Sequence, residues 1–348
     1  MNIIIPATLN EKKDAMILLD QTLLPVEKKF IEVKELEDTW EAIKKLRVRG
    51  APAIGVAAGF GIYLGVKDSR ADNFEDFYRE FMEAKKYLAS SRPTAVNLFW
   101  ALDRMENRLL REQERSIEEI KESLLEESER IFKEDQDMCK SISEYGLSLL
   151  KPEMGLLTHC NAGGIATSGY GTALGPMYLG HERGYNFKVY ADETRPLLQG
   201  SRLTAWELNQ VGVDVTVICD NMASIVMKEG KIDAILVGCD RVAANGDTAN
   251  KIGTSGLAIL AKEYKIPFYV LGPTSTIDMK ARTGKDIDIE ERGSKEIYNG
   301  FGRQTAPSEV KFYNPAFDVT DHKYITAIVT EKAILRPPFE DNLKKLFE

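Results

Sequence analysis

Residues that hold metals or cross-link chains are scarce in this sequence. There are three histidines and four cysteines among 348 residues. The cysteines, Cys139, Cys160, Cys219 and Cys239, form no CxxC pair, and no zinc-type spacing links them to His159, His181 or His322. A structural metal site and a disulfide framework are therefore not expected, and each cysteine has a small buried apolar residue as its ordinary role. A GxGxxG dinucleotide fingerprint is also missing. Positive charge is not in excess: 46 Lys and Arg stand against 54 Asp and Glu, a formal net charge of -8. That argues against a broad phosphate-neutralising face for nucleic acid, although local basic pockets remain compatible with it. No apolar run reaches the roughly 18 residues that span a bilayer. The opening MNIIIPATLNEKKD meets charge too early for a secretory signal. The expectation is a cytoplasmic protein with no metal, no cofactor, no nucleic-acid partner and no membrane partner.

What the chain does have is an ordinary globular composition, 43% hydrophobic and 29% charged. Its length suggests two domains, at roughly 100–200 residues each. The runs AMILLD and KKFIEVKE, separated by QTLLPVE, read as a short β-ribbon. Helical patterns follow: DTWEAIKKL from Asp38, a small-residue segment from Ala51 to Leu64, a helix from Glu75 and another after Pro93. Ser116 and Glu119 form a capping box that opens a long charged helix over about 116–150, the expected connector. From Gly155 the texture changes to short apolar strands alternating with helical segments: GLLTH, FKVYA, DVTVIC, DAILVG, PFYVLG and VKFY. Such alternation produces βαβ units. The expected fold is α/β, a Rossmann-like parallel sheet with helices on both faces over residues 126-348, preceded by a smaller, mainly helical domain with a β-ribbon over 1-125. The polar stretch from Ala281 reads as a mobile loop.

Parallel sheets bind ligands at the carboxyl ends of their strands, so the residues there are the candidates. GLLTH runs into Cys160-Asn161-Ala162-Gly163-Gly164, which reads as strand, glycine turn and helix. A helix N-terminus there would draw anions and lower a thiol's pKa; a tight turn with a buried cysteine is the alternative. DAILVG is followed by Cys239-Asp240-Arg241, with Asn250-Lys251 where the next helix should begin. Asp240 is placed for a general acid if burial raises its pKa, or else pairs with Arg241 or Arg202. Asp192-Glu193-Thr194-Arg195-Pro196 and Asp220-Asn221 close two further strands. In the first half, Arg49-Gly50-Ala51-Pro52 and Arg92-Pro93-Thr94 each put an arginine before a helix start, an arrangement suited to phosphate, with a solvated basic turn as the alternative.

Arg49-Gly50-Ala51-Pro52, Arg92-Pro93-Thr94-Ala95-Val96-Asn97, Thr158-His159-Cys160-Asn161, Glu193-Thr194-Arg195-Pro196, the block from Gly238 to Asn245, Asn250-Lys251 and Tyr313-Asn314-Pro315-Ala316-Phe317-Asp318 together resemble the methylthioribose-1-phosphate isomerase family. The resemblance covers nearly the whole chain. It implies a catalytic pair, Cys160 and Asp240, and substrate contacts at Arg49, Gly50, Ala51, Arg92, Gln199, Asn250 and Lys251; Gln199 rests on the resemblance alone. It implies a small phosphorylated sugar as substrate, methionine salvage as the setting and a homodimer, for which the apolar segments Leu203 to Leu208 and YITAIVTEKAIL offer surface. The ribbon lacks the family's tryptophan, Gly164 stands where alanine is usual, and Asp321 where proline is. The first two leave 5-deoxyribose 1-phosphate open as the substrate. The same superfamily contains ribose-1,5-bisphosphate isomerase and the regulatory subunits of an initiation-factor exchange complex, a non-enzymatic alternative.

Overall fold

A computed structural model describes residues 3–93 and 95–347; Thr94 of the Arg92-Pro93-Thr94 motif lies outside them. The chain divides into two compact units, one built from Ile3–Asp137 with Gly164–Gly169, the other from 138–163 with 170–347.

The first unit begins with a ribbon of three antiparallel strands, β1 (Ala7–Leu9), β2 (Met16–Leu19) and β3 (Phe30–Val33). Helices α1 (Leu36–Lys44), α2 (Ala51–Val66), α3 (Phe74–Ala89), α4 (Val96–Arg111) and α5 (Ile117–Leu147) follow. Alternate residues of β2 face the same core as the helices. The sequence of α2 is apolar all round, and nearly all of its residues are buried. An all-apolar helix must be enclosed, and α1, α3, α4 and the ribbon pack around it. Ser116 and Glu119 cap the start of α5 reciprocally, as expected: Ser116 N–H donates to Glu119 Oε2 at 3.0 Å.

The second unit carries β4 (Gly155–Thr158), α6 (Gly175–Glu182), β5 (Lys188–Asp192), α7 (Ala205–Gln210), β6 (Asp214–Ile218), α8 (Ala223–Lys228), β7 (Ala234–Val237), β8 (Arg241–Ala243), β9 (Thr248–Lys251), α9 (Thr254–Glu263), β10 (Phe268–Leu271), β11 (Ile277–Asp278), α10 (Lys295–Tyr298), β12 (Phe317–Thr320), β13 (Ala327–Val329), β14 (Ile334–Leu335) and α11 (Phe339–Phe347). Seven strands form one sheet in the order β14-β13-β10-β7-β4-β5-β6, parallel throughout except for β14. Each central strand alternates between two cores. Leu156, Leu236 and Leu271 pack with α6, α7 and the end of α5, while Leu157, Val237 and Val270 pack with α8, α9 and α11. The fold is the expected α/β sheet with helices on both faces. Among the described residues no helix is long and apolar enough to cross a membrane.

Four expectations fail for local reasons. VKFY is not a strand: Val310 and Tyr313 are exposed, and the last strands of the large sheet are β13 and β14. Asn250-Lys251 ends β9 instead of opening a helix, because a second sheet, β11-β8-β9-β12, is inserted after β7. Helix α9 starts only at Thr254, beyond the left-handed Gly253. The polar stretch from Ala281 holds a 3-10 turn at Gly284–Asp286 and the short α10. Leu203, Leu208, Ile325, Ala327 and Val329, offered by the sequence as leftover apolar surface, are buried within the unit itself.

Candidate active site

The strands were laid down outward from β4 through β5 to β6, and the chain then returned to place β7 on the other side of β4. That reversal, at the carboxyl ends of β4 and β7, is the position at which open α/β sheets take ligands. Cys160 follows β4 and Asp240 follows β7. The two turns touch: a Cβ on Gly238 would lie 2.7 Å from that of Ala162.

Cys160 is half-buried and left-handed, with φ 66°. A non-glycine residue there costs on the order of 1 kcal/mol or more and persists only where its surroundings enforce it. They do so from both sides. Its N–H donates to Thr194 Oγ1 at 2.8 Å, and its carbonyl accepts from Thr204 Oγ1 at 2.6 Å. Thr194 Oγ1 in turn donates to the Asp192 carbonyl at 3.0 Å, while Asp220 accepts the N–H groups of Thr194 and Arg195, each at 2.7 Å. The ends of β4, β5 and β6 are thus knitted around one cysteine. Beneath it, Asn161 donates to Glu207, whose other oxygen accepts from Tyr178 at 2.6 Å. The expected helix N-terminus is absent: Gly164–Ala166 is a 3-10 turn, and α6 waits until Gly175. The backbone of Cys160 is held by threonine hydroxyls rather than by a helix end.

The other cysteines are set apart by their surroundings. Burial pushes the Cys239 thiol up to about 12, despite its contact with Thr276 Oγ1, and Asp240 adds to the rise. Cys219 is exposed, its thiol raised chiefly by the charge of Glu193, and Cys139 is buried.

Asp240 is exposed, not buried as a dry general acid would require, and its N–H donates to the Ala249 carbonyl at 2.9 Å. Arg241 reaches Asp278 at 3.5 Å, and Arg202 Nη1 donates to the Leu197 carbonyl at 3.4 Å. Gln199 precedes a π-helical turn at Gly200–Thr204, a distortion that recurs at functional sites. It is 6% exposed, and its Oε1 is buried with no hydrogen-bond partner among the described residues. Leaving such an acceptor unmatched costs roughly 1–3 kcal/mol, which a ligand hydroxyl would recover. Asn250 donates to Thr254 Oγ1 at 3.0 Å. Lys251 is buried, its Nζ donating to the Ala316 carbonyl at 2.9 Å and lying 4.4 Å from the centroid of Phe317.

Arg49, Gly50, Ala51 and Arg92 belong to the first unit. Helix α2 starts at Ala51 behind Gly50, whose φ of 93° suits glycine, and no side chain caps its first N–H groups. Arg47 is committed to Asp20 and Glu41. Arg92 lies ahead of α4, which also lacks a side-chain cap. Uncapped helix starts with an adjacent guanidinium favour anions.

A profile of the initiation factor 2 subunit family matches residues 47–337. The chain belongs to that family. Within it, a 5-deoxyribose 1-phosphate isomerase of Petrotoga mobilis is 68% identical over 345 residues, 99% of each chain. A methylthioribose-1-phosphate isomerase of Symbiobacterium thermophilum is 64% identical, over 98% of this chain and 96% of its own. The solved 5-methylthioribose 1-phosphate isomerase of Pyrococcus horikoshii superposes with a TM-score of 0.95 at 46% identity, covering 99% of this chain and 95% of that one.

One residue of the Thr158-His159-Cys160-Asn161 motif had no role assigned from sequence. His159 is 2% exposed, with Nδ1 2.9 Å from Asp192 Oδ2 and Nε2 2.8 Å from the Ile252 carbonyl. Burial works against its charged form, but the hydrogen bond and charge of Asp192 outweigh it and raise the pKa. Burial also pushes the Asp192 carboxyl up to about 6, against the pull of His159. With Asp220 these residues bring metal-ligand atom types within 4.8 Å of one another. Both imidazole nitrogens, both Asp220 oxygens and Asp192 Oδ2 already have protein partners, while Asp192 Oδ1 is buried with none among the described residues, so most of the cluster is a hydrogen-bonded tie. A polar residue inside the apolar run GLLTH was the available signal.

Proposed function

We propose that the chain is an aldose-ketose isomerase converting 5-methylthioribose 1-phosphate into 5-methylthioribulose 1-phosphate, a step of methionine salvage carried out in the cytoplasm. The observation that carries this reading is the placement of Cys160 and Asp240 on adjoining strand ends at the sheet's reversal point. A phosphate on the anomeric oxygen prevents the sugar from opening to a free aldehyde, so the enzyme must break the ring bond itself. Asp240, in its protonated form, gives its proton to the ring oxygen; the bond from C1 to that oxygen breaks, and the oxygen remains on C4 as a hydroxyl. Positive charge at C1 is shared with the phosphorylated oxygen. Asp240 is exposed at its strand end, and a sugar packed against it would supply the desolvation that favours the protonated carboxyl.

Hydrogen then passes from C2 to C1. In the proton route the Cys160 thiolate takes it from C2, leaving an enol that regains a proton at C1. In the hydride route it moves directly, and the 2-hydroxyl gives up its proton near Cys160. Both end at the C2 ketone, and neither calls for a metal or redox cofactor. Turnover in deuterium oxide separates them, since only the proton route can place solvent deuterium at C1. Arg49, Gly50, Ala51, Arg92, Asn250 and Lys251 are assigned to binding the phosphate and sugar, and the unmatched Oε1 of Gln199 to a sugar hydroxyl.

A second reading, 5-deoxyribose 1-phosphate as the substrate, has the name of the 68% identical Petrotoga relative behind it. Apolar pockets discriminate by only about 1–3 kcal/mol per missing group, so one pocket can serve both sugars. Measuring kcat/KM for both, with ribose 1,5-bisphosphate alongside, tests the proposal. The methylthio sugar is expected to lead; a 5-deoxy value equal to or above it transfers the assignment, and no turnover of any of the three ends the enzymatic reading. We also propose a homodimer. Val217 on edge strand β6, with Met222 and Ile225 just beyond it, exposes apolar surface on the second unit.

A further inference from the structure

Both ring nitrogens of His159 are in use, and elementary valence fixes how many hydrogens they share. Nε2 faces the Ile252 carbonyl at 2.8 Å, and a carbonyl only accepts, so Nε2 carries a hydrogen. Nδ1 faces Asp192 Oδ2 at 2.9 Å. Two bare lone pairs cannot approach that closely in a buried site without repulsion, so a proton lies on this axis as well. Whether it is drawn on the ring or on the carboxyl, the pair is neutral overall and holds the same number of hydrogens.

The surroundings make that proton consequential. The charged groups facing the pair are Asp220, from the end of β6, and Glu193, beside Asp192 on the end of β5. From the turn before α9 come the Ile252 carbonyl and Gly253, where a Cβ would stand 2.9 Å from the His159 ring. Loss of the shared proton leaves a buried negative charge beside two more carboxylates. The same pair is a mechanical tie. Cys160 directly follows His159, the Asp192 carbonyl accepts from the Thr194 hydroxyl that holds the Cys160 N–H, and Ile252 directly follows Lys251.

We propose that His159 and Asp192 hold one proton between them and, through it, act as positioning residues that keep the Cys160 turn and the Asn250-Lys251 strand end in register for the isomerisation. The inference rests on the roles proposed above for Cys160 and Lys251.

The full chain, labelled with 15N-histidine at neutral pH, is expected to show a slowly exchanging, far-downfield proton coupled to a His159 nitrogen and missing from Asp192→Ala. In steady state, Asp192→Ala lowers kcat by roughly 100-fold, the scale of a misplacement of about 1 Å, and raises KM by a smaller factor through the Asn250-Lys251 strand end. In Asp192→Asn the amide N–H can donate to an unprotonated Nδ1, so this variant recovers most of the lost kcat. It also loses the part of the alkaline fall in kcat that marks departure of the shared proton in the wild type, keeping only the part set by Asp240. No proton on the axis, an undiminished kcat in Asp192→Ala, or the same alkaline fall in wild type and Asp192→Asn overturns the inference; the last comparison stands even if Asp192→Ala does not fold. If the wild type turns over neither sugar, the proposed function has failed instead. The proton signal then decides together with the iodoacetamide alkylation rate of Cys160, followed peptide by peptide in wild type and both Asp192 variants, and a rate unchanged by Asp192→Ala counts against the positioning role.

Discussion

Cys160 and Asp240 are held in opposite ways, and their substitutions should differ accordingly from those of the binding residues. The cysteine is clasped by Thr194 and Thr204, so Cys160→Ser alters the reacting atom without releasing the turn. Asp240→Asn keeps the shape and removes the proton. Each should lower kcat by at least about 100-fold, within the range for loss of a general acid or base, with KM little changed. Arg49→Ala and Arg92→Ala should instead raise KM, by the roughly 1.5–3 kcal/mol of a charge-assisted contact. Steady-state kinetics on the sugar phosphate reads both, and a near-normal kcat in Asp240→Asn removes Asp240 from the chemistry. Cys160 and Asp240 could be picked from sequence because each lies within three residues of the end of an apolar strand. The left-handed backbone of Cys160 and the His159–Asp192 tie could not, since both depend on contacts between strand ends far apart in the chain. The exposure of Asp240 escaped for the same reason.

At the scale of elements, the sequence was most legible where the signal is local. The capping box placed the start of α5 within a residue, and the apolar runs placed β4, β5, β6, β7 and β10. It was least legible in the second sheet, whose strands are short and pair across long insertions, so that β9 passed for a helix start. One element carries its own titration. Gly164–Gly169, the segment leaving the Cys160 turn, is held by Asp135 on α5, which accepts the Ser168 N–H at 2.6 Å, and by Gln21, which donates to the Ile165 carbonyl at 2.7 Å. Burial pushes the Asp135 carboxyl up to about 6. A carboxyl with a raised folded pKa contributes stability that is fully present below its unfolded value near 4 and is lost as pH rises through about 6. Asp135→Asn keeps an acceptor for Ser168 and has no charge to bury. It should be more stable than the wild type at pH 8, by up to about 2–3 kcal/mol, with the gain vanishing towards pH 4. Denaturant midpoints of both chains across that range check it; a gain independent of pH contradicts it.

For the molecule as a whole, the α/β class followed from strand and helix alternation, but the site of assembly did not, because the apolar segments that looked spare are buried. With Val217, Met222 and Ile225 left exposed, light scattering at micromolar concentration should report a dimer, and Val217→Lys with Ile225→Lys should shift it towards monomer. A wild-type monomer contradicts this. The sheet's strand order also governs the timing of folding. Leu157 pairs with Ile235, so β4 meets β7 only after α6, β5, α7, β6 and α8 have been looped out between them. Closing that loop costs chain entropy before any contact repays it, which makes long-range parallel pairing slow. The helices of the first unit form from local contacts and owe nothing to this closure. Refolding chains should therefore regain helical signal well before turnover, and for that interval a newly made molecule is folded over much of its length and catalytically silent.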